Sequence, residues 1–188
     1  MRRKFNKGIL EAAVMVFLIA FSNISIVSAK GGATSNGNNA AFLTLQDKIR
    51  HEIVMLPYLG VFDDVVFTIK DSNTVILDGY VVRAMLKSEV ETAVRQVPGV
   101  AKVVNEIEVL PLSRFDASLR EKAYRAIYLN TGFEKYAIQV NPPIRIIVKN
   151  GNITLEGVVD SSLDKNLADM AAKSVSGAFS VKDNLVIG

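Results

Sequence analysis

Apolar residues recur along the chain at the spacings of helices and strands, in an order that occurs twice. Each copy has a helical spacing, two β-branched runs, a second helical spacing and a third run. The apolar helical positions in the first copy are Leu45, Ile49, Ile53 and Leu56, then Leu86, Val90, Ala93, Val94 and Val97. Those in the second copy are Leu119, Ala123, Ala126 and Ile127, then Leu167, Ala168, Ala171, Ala172 and Val175. The pattern predicts a helix-strand-strand-helix-strand unit used twice.

The paired β-branched runs predict one hairpin in each copy. Residues 65–70 and 74–81 form the first pair, and residues 144–149 and 152–159 form the second. Asn150-Gly151 joins the second pair and is typical of a two-residue type I′ turn.

The third run of each copy predicts a closing strand, over residues 103–109 and 181–187. In the first of these, alternation places Val103, Ile107 and Val109 on the buried face, with Asn105 interrupting it.

A constant offset relates the two copies. Gly79 and Gly157 are 78 positions apart, as are Gly99 and Gly177, and Asn105 has the same relation to Asp183. One offset across strand, helix and strand indicates a duplicated folding unit. We therefore predict an α+β fold of two tandem αββαβ modules, each a three-stranded mixed sheet with two helices on one face. The strand-helix-strand part should cross over with right-handed connectivity.

The first helix of each module has a different offset. Lys48 corresponds to Lys122 at an offset of 74, so the second copy has four extra residues around 131–143. Thr44 with Asp47 predicts the start of the first helix, and Ser118 with Glu121 the start of its counterpart. Ser161 or Ser162 is expected to cap the last helix.

The N-terminal end predicts export. Residues 1–29 have a basic start, a short apolar core and small residues before Lys30, so we interpret them as a cleaved signal peptide. An uncleaved anchor is the alternative. Residues 30–42 are rich in Gly, Asn and Ser and predict a flexible tether. The modules then span residues 43–112 and 115–188, and a periplasmic location is expected.

Charge and cysteine content narrow the classes of function. The chain has 22 basic and 19 acidic residues and a net charge of +3, but residues 30–188 are balanced at 18 of each. We therefore predict no nucleic-acid binding. Residues 41–112 carry a net −3 and residues 113–188 a net +2, so the second module suits an anionic surface better. The chain has no cysteine, and each module must be held by its own core.

Candidate catalytic chemistry is sparse. His51 is the only histidine and sits between Arg50 and Glu52, where a surface or partly buried structural role is expected. The acidic pairs Asp63-Asp64 and Glu106/Glu108 come without a visible pocket or partner. We therefore predict no enzyme activity, no metal site and no cofactor.

At this point the chain resembles a known family. Leu77-Asp78-Gly79-Tyr80-Val81, its counterpart Leu155-Glu156-Gly157-Val158-Val159 and the segment Gly99-Val100-Ala101-Lys102-Val103-Val104-Asn105 resemble the BON domain, a small bacterial envelope module. The second copy departs from the pattern with Ala178 for the valine and Asp183 for the asparagine. The resemblance covers residues 43–188 and is similar to exported proteins of the osmotically induced class. It implies phospholipid binding and envelope maintenance.

One helix flank of the second module suits a lipid surface. On a 100° wheel, Arg120, Tyr124 and Tyr128 lie beside the apolar stripe, with Lys122 on the other flank and Arg125 on the polar back. Tyrosine and arginine together are favourable at a membrane interface. The alternative is that the tyrosines only cover the edge of the core and the charged side chains solvate it.

Two hypotheses follow. In the first, the protein is non-enzymatic, binds anionic phospholipid headgroups by peripheral contact and supports envelope integrity or tolerance of osmotic stress. In the second, it is a periplasmic adaptor whose modules pair with an envelope protein or with themselves, for example through an exposed sheet edge.

Overall fold

The computed structural model describes residues 44–139 and 141–188. The predicted signal peptide and tether, residues 1–42, lie outside the described residues. Among the helices that are described, none is long and apolar enough to cross a membrane.

The described residues form two modules with the predicted order of elements. Those of the first module are α1 (Leu45–Val54), β1 (Asp64–Lys70), a 3₁₀ turn (Asp71–Asn73), β2 (Thr74–Val81), α2 (Ala84–Gln96), β3 (Lys102–Asn105) and β4 (Glu108–Val109). Those of the second module are α3 (Arg114–Tyr128), α4 (Glu134–Ala137), β5 (Ile144–Lys149), β6 (Asn152–Val159), α5 (Ser162–Lys173), β7 (Ser180–Asp183) and β8 (Val186–Ile187).

Each module contains one mixed sheet. The hairpin strands β1 and β2 are antiparallel, and β3 returns parallel to β2; β5, β6 and β7 repeat this order. The short strands β4 and β8 continue the third strand along β2 and β6. The helices cover the apolar face of each sheet, where alternate residues of β2 and β6 are buried. The predicted fold class is confirmed.

The closing strand is interrupted in both modules. Asn105 Oδ1 accepts a hydrogen bond from the Ile107 amide (3.2 Å), and the strand breaks there. The break shifts the alternation, so Leu110 is 2% exposed whereas Val109 is 36% exposed. The prediction that Val109 faces the core is therefore wrong, because a side-chain turn that alternation does not anticipate resets the register.

The start of α3 also differs from the prediction. The helix begins at Arg114, and the side chain of Ser113 caps it by accepting from the Asp116 amide (3.1 Å). Ser118 therefore lies inside the helix. The predicted start was wrong because α3 extends about one turn further toward its N-terminus than the Ser118–Glu121 pair indicates. The predicted caps Thr44 and Ser161 are both observed.

A bend at one glycine shapes each hairpin. Gly79 and Gly157 have φ values of +112° and +118°. A Cβ at Gly157 would lie 1.9 Å from the Pro143 carbonyl oxygen, and one at Gly79 would lie 2.1 Å from that of Asp64. Glycine is required at both positions because the neighbouring strand passes too close for any side chain.

The four extra residues of the second module build additional core. The segment between α3 and β5 contains α4, and its aromatic residues Phe133 and Tyr136 are each 1% exposed. Tyr136 Oη donates to Asp164 Oδ2 (2.9 Å) and accepts from the Asp160 amide (2.9 Å), which attaches α4 to the start of α5.

The two modules are in contact. The segment before β1 lies along the outer edge of β5, where the Ile146 amide donates to the Val61 carbonyl oxygen (2.8 Å) and Arg145 Nη1 donates to that of Gly60 (3.0 Å). The Phe62 ring meets the Tyr124 ring edge-on, with centroids 6.3 Å apart. Val61 and Phe62 of this segment pack against the core of the second module and so add apolar burial to it.

Candidate functional site

Two of the five residues predicted to contact lipid are buried. Arg120 is 6% exposed, and its Nη2 donates to the Val148 carbonyl oxygen (2.8 Å). Tyr128 is 3% exposed, and its hydroxyl donates to the Ile144 carbonyl oxygen (2.5 Å). Burial lowers the pKa of Arg120 and raises the pKa of Tyr128. The expectation that these two side chains lie on an exposed flank is wrong.

The reason is the position of that flank in the fold. It faces the outer edge of β5, which the segment before β1 also covers. Tyr124 lies between Phe62 and Tyr128, with its ring centroid 5.2 Å from that of Tyr128. A helical wheel shows which residues share a side of a helix, but it does not show that a strand edge and the neighbouring module occupy that side.

The other two predicted residues are accessible. Arg125 is exposed and pairs with Glu121 one turn earlier (2.6 Å). Lys122 is exposed, and its Nζ donates to the carbonyl oxygen of Ser176 (3.4 Å) in the loop between α5 and β7. Through this contact with the α5–β7 loop, Lys122 lies beside a further feature of the exposed surface.

That feature is an exposed pair of phenylalanine rings. Phe115, in the first turn of α3, is 47% exposed, and Phe179, just before β7, is 75% exposed. Their ring centroids are 5.7 Å apart. Gly177, next to Ser176, lies against the Phe115 ring, so Lys122 borders the pair. We name Phe115, Phe179, Lys122 and the exposed Arg114 the aromatic platform.

The hairpin turn supports the platform. A Cβ at Gly151 would lie 2.6 Å from the Phe179 ring and 3.2 Å from that of Phe115, so the rings rest on a backbone without a side chain. The adjacent Asp116 is 1% exposed and accepts hydrogen bonds from the amides of Asn150 (3.0 Å) and Gly151 (2.8 Å). The Asp116 carboxylate therefore joins α3 to the β5–β6 turn, and both rings lie against Gly151 of that turn.

Sequence reasoning missed the platform, although two signals were present. Phe115 precedes Lys122 by seven residues, a spacing that places both on one side of a helix. Phe179 occupies the position of Ala101 in the first copy, so the platform is specific to the second module. A large apolar residue replacing a small exposed one between repeats indicates a surface with a separate role.

The repeat motif residues have structural positions. Gly99 and Gly177 have φ values of +104° and +98° in the loops that follow α2 and α5. Asp183 Oδ1 accepts from the Leu185 amide (2.8 Å), as Asn105 does from Ile107. The two copies therefore share the turn despite the change from amide to carboxylate.

The polar groups weighed for catalysis lie apart. His51 is exposed on α1 and lines a shallow groove with Lys48, Glu52 and Gln96. Asp63 accepts from the amides of Gly60 (2.9 Å) and Val82 (2.7 Å), which makes it a structural acceptor. Within residues 44–139 and 141–188, no group of three potential metal ligands comes together.

The fold defines a protein of two small repeated α+β modules. The chain belongs to the BON domain family: the family model for the BON domain matches residues 43–111 and again residues 116–188. Membership supports an envelope-related module, and BON domains are not known as catalytic domains. No curated protein matches the sequence.

Solved structures show a weak likeness. The C-terminal domain of CdsD, a structural protein of the type III secretion system of Chlamydia trachomatis, is 13% identical, with 75% of this chain and 96% of that chain covered and a TM-score of 0.31. A second CdsD structure is 14% identical, with 77% and 92% covered and a TM-score of 0.29. Scores this low do not establish a common arrangement of the whole chain.

Proposed function

We propose that the chain is an exported, periplasmic protein that binds anionic phospholipid surfaces through the aromatic platform of its second module and so supports envelope integrity under stress. One observation carries the proposal: two exposed phenylalanine rings lie 5.7 Å apart beside a lysine, on the module with a net charge of +2. Membership of an envelope family supports it.

The chemistry of the platform suits the boundary between headgroups and acyl chains. Aromatic rings are favourable at that depth, and flanking cations meet the phosphates. Arg114 and Lys122 would each contribute about 1 kcal/mol near an anionic surface. Two rings and two cations predict weak, reversible, peripheral binding rather than permanent anchoring.

Vesicle co-sedimentation tests the proposal. The chain from Lys30 onward is used, because the apolar core of residues 12–21 would itself bind lipid. We expect recovery with phosphatidylglycerol vesicles, little with phosphatidylcholine vesicles, and a decrease as salt screens the charges. Equal recovery with both lipids, or none with either, would contradict the proposal.

Paired variants locate the binding surface. Phe115→Ala with Phe179→Ala should weaken binding about tenfold, since both rings lose their apolar contact. Leu163→Ala with Met170→Ala removes apolar side chains that are 64% and 65% exposed on α5 and should change nothing.

A charge pair isolates the electrostatic part. Lys122→Glu should weaken binding to anionic vesicles, whereas Lys48→Glu, the same change at the counterpart in the first module, should not. Equal effects at both lysines would mean that net charge alone drives recovery and would remove the platform from the account.

A further inference from the structure

The two modules differ in how their outer sheet edge is covered. Successive residues of an edge strand direct their backbone groups alternately toward the sheet and away from it. In β5 the outward-directed groups belong to Ile144, Ile146 and Val148. The Ile144 and Val148 oxygens accept from Tyr128 and Arg120, and the Ile146 amide donates to Val61. The edge of the second module is therefore covered at each of these three positions.

The same edge of the first module has no such cover. Phe67 pairs with Leu77 as Ile146 pairs with Leu155, so the outward groups of β1 belong to Val65, Phe67 and Ile69. Within the part of the chain that the structure describes, no backbone hydrogen bond reaches them from outside the sheet.

The side chains that cover β5 have no equivalent above β1. At the offset of 74, Gln46 and Val54 stand where Arg120 and Tyr128 stand in the second module. The side chain of Val54 has no hydrogen-bond donor, and the side chain of Gln46 is exposed.

At the opposite edge of each sheet, the closing strand is protected from pairing with another chain by its interruption. The turns at Asn105 and Asp183 break the closing strand into pieces of four and two residues, which gives a short, bent edge. β1, by contrast, is seven residues long, unbroken and free of proline. An unbroken edge with β-branched and aromatic residues is a template for pairing with another strand.

We propose that β1 pairs antiparallel with β1 of a second copy of this chain, around a two-fold axis at Phe67. In this register Asp64 of one copy lies opposite Lys70 of the other, twice by symmetry, and Val66 lies opposite Thr68. Phe67, Val65 and Ile69 form the hydrogen-bonded pairs. Within its own chain the part-buried Asp64 carboxylate lies near Arg145 but also near two further acidic groups, Glu156 and Asp78. Lys70 of a second copy therefore adds a cation beside an acidic cluster, which favours a second copy over an unrelated partner. Formation of this dimer does not require lipid, so the proposal does not rest on the proposed function.

Disulfide trapping tests the register in a chain that has no cysteine of its own. Purified after export, a Val66→Cys copy mixed with a Thr68→Cys copy should form a disulfide-linked dimer, because directly opposed residues have Cα atoms about 4.5 Å apart. Either variant alone should cross-link at least about tenfold less, since each cysteine then meets its own copy on a diagonal of about 7–8 Å. Equal cross-linking in all three samples, or none, would overturn the proposal.

Sedimentation velocity tests the charge pairs without an added cysteine. Lys70→Glu sets two like-charged pairs across the axis and should weaken dimerisation about tenfold. Lys102→Glu makes the same change on β3, at the opposite edge, and should leave dimerisation as it was; both lysines are exposed. A parent chain that stays monomeric, including one that captures a different protein by β1, would refute self-pairing.

Discussion

Asp116 connects α3 to the β5–β6 turn through one buried side chain. It lies in the first turn of α3, and its two carboxylate oxygens accept from consecutive amides of the β5–β6 turn. Asn150 and Gly151 have left-handed φ values of +51° and +78°, and a turn of this kind directs its backbone N–H groups inward. The Asp116 carboxylate satisfies these donors by accepting a hydrogen bond from each. The position of Phe115 beside this turn depends on the same contact.

Asp116→Ala should therefore destabilise the fold. The buried amide of Gly151 and the part-buried amide of Asn150 lose their acceptor, which costs about 1–3 kcal/mol in the free energy of unfolding. Urea titration followed by circular dichroism measures the change. Asp169→Ala, which removes an exposed-helix pair with Lys173, should cost about 0.5 kcal/mol or less; a loss at Asp116 no larger than this would contradict the role.

Residue spacing alone could identify some of the structurally important residues and not others. The glycines at 79 and 157 were found because their offset is constant, and the structure explains them by close backbone approach. The burial of Arg120 and Tyr128 was not predicted, because their hydrogen bonds go to strand carbonyls 28 and 16 residues away. Local periodicity contains no signal for such distant partners.

At the scale of elements, the closing strand shows how two residue types achieve one turn. Asn105 also donates through Nδ2 to the Lys87 carbonyl oxygen (2.9 Å), which attaches the turn to α2. In the second module Asp183 cannot donate, and it instead lies 3.7 Å from the ammonium group of Lys165 on α5. Lys87 and Lys165 are themselves repeat counterparts. Both modules thus connect the turn to the preceding helix, but the turn side chain donates a hydrogen bond in the first module and is the negative partner of a lysine in the second.

Substitutions at the two turns should differ accordingly. Asn105→Ala should cost about 1–2 kcal/mol in the free energy of unfolding, because the Ile107 amide and the Lys87 carbonyl oxygen lose their partner. Asp183→Asn should change it by less than about 0.5 kcal/mol, since an amide can accept from Leu185 and donate to α5 as Asn105 does. Denaturant titration of both variants decides this; similar large losses would mean that the carboxylate charge is essential.

Element identity was predictable, and element boundaries were less so. The hairpins were found because their turns and β-branched runs agree. The start of α3 was misplaced because the duplicated unit gained a turn at its N-terminal end, where Ser113 caps the helix. The helix α4 was predicted only as extra loop, since its four residues are too short for a periodic signal.

At the scale of the whole molecule, the junction between modules contains ionisable groups. Arg145 lies between the modules, with Asp64 of β1 and Glu156 of β6 nearby. Burial, with the neighbouring Glu156 carboxylate, raises the pKa of Asp64 from 3.8 to about 6. The folded protein therefore holds this proton more tightly than the unfolded chain does.

The sign of the pH effect follows from that difference. The Asp64 contribution is fully present below about pH 4 and is lost as the pH rises through about 6. Asp64→Asn removes the titration, so its stability relative to the parent should rise by up to about 3 kcal/mol between pH 4 and pH 7. Thermal and urea unfolding across this range, at protein concentrations at which the chain is monomeric, measure the difference.

A second variant ties this effect to the junction. Glu156→Gln removes the negative charge that helps raise the pKa of Asp64, so the rise should be smaller in this background. A rise of unchanged size would show that Glu156 is not involved, and a fall with pH would contradict the direction of the shift.

The contact between modules could not be predicted from the sequence. The two αββαβ units were evident from the repeat, but the segment Gly60–Phe62 has no periodic pattern that indicates a neighbouring strand edge. Its pairing with β5 determines which helix flank is covered and leaves the aromatic platform at another part of the module. The candidate site therefore depends on tertiary packing, whereas the fold class does not.

The most direct test of lipid contact uses the absence of tryptophan from the chain. Phe179→Trp, in the chain from Lys30 onward, places a single fluorescent reporter on the platform, and Ala101→Trp places one at its counterpart in the first module. With phosphatidylglycerol vesicles, the account predicts a shift of emission to shorter wavelength for Phe179→Trp, reversed by salt, and none for Ala101→Trp. No shift at position 179, or an equal shift at both positions, would contradict it.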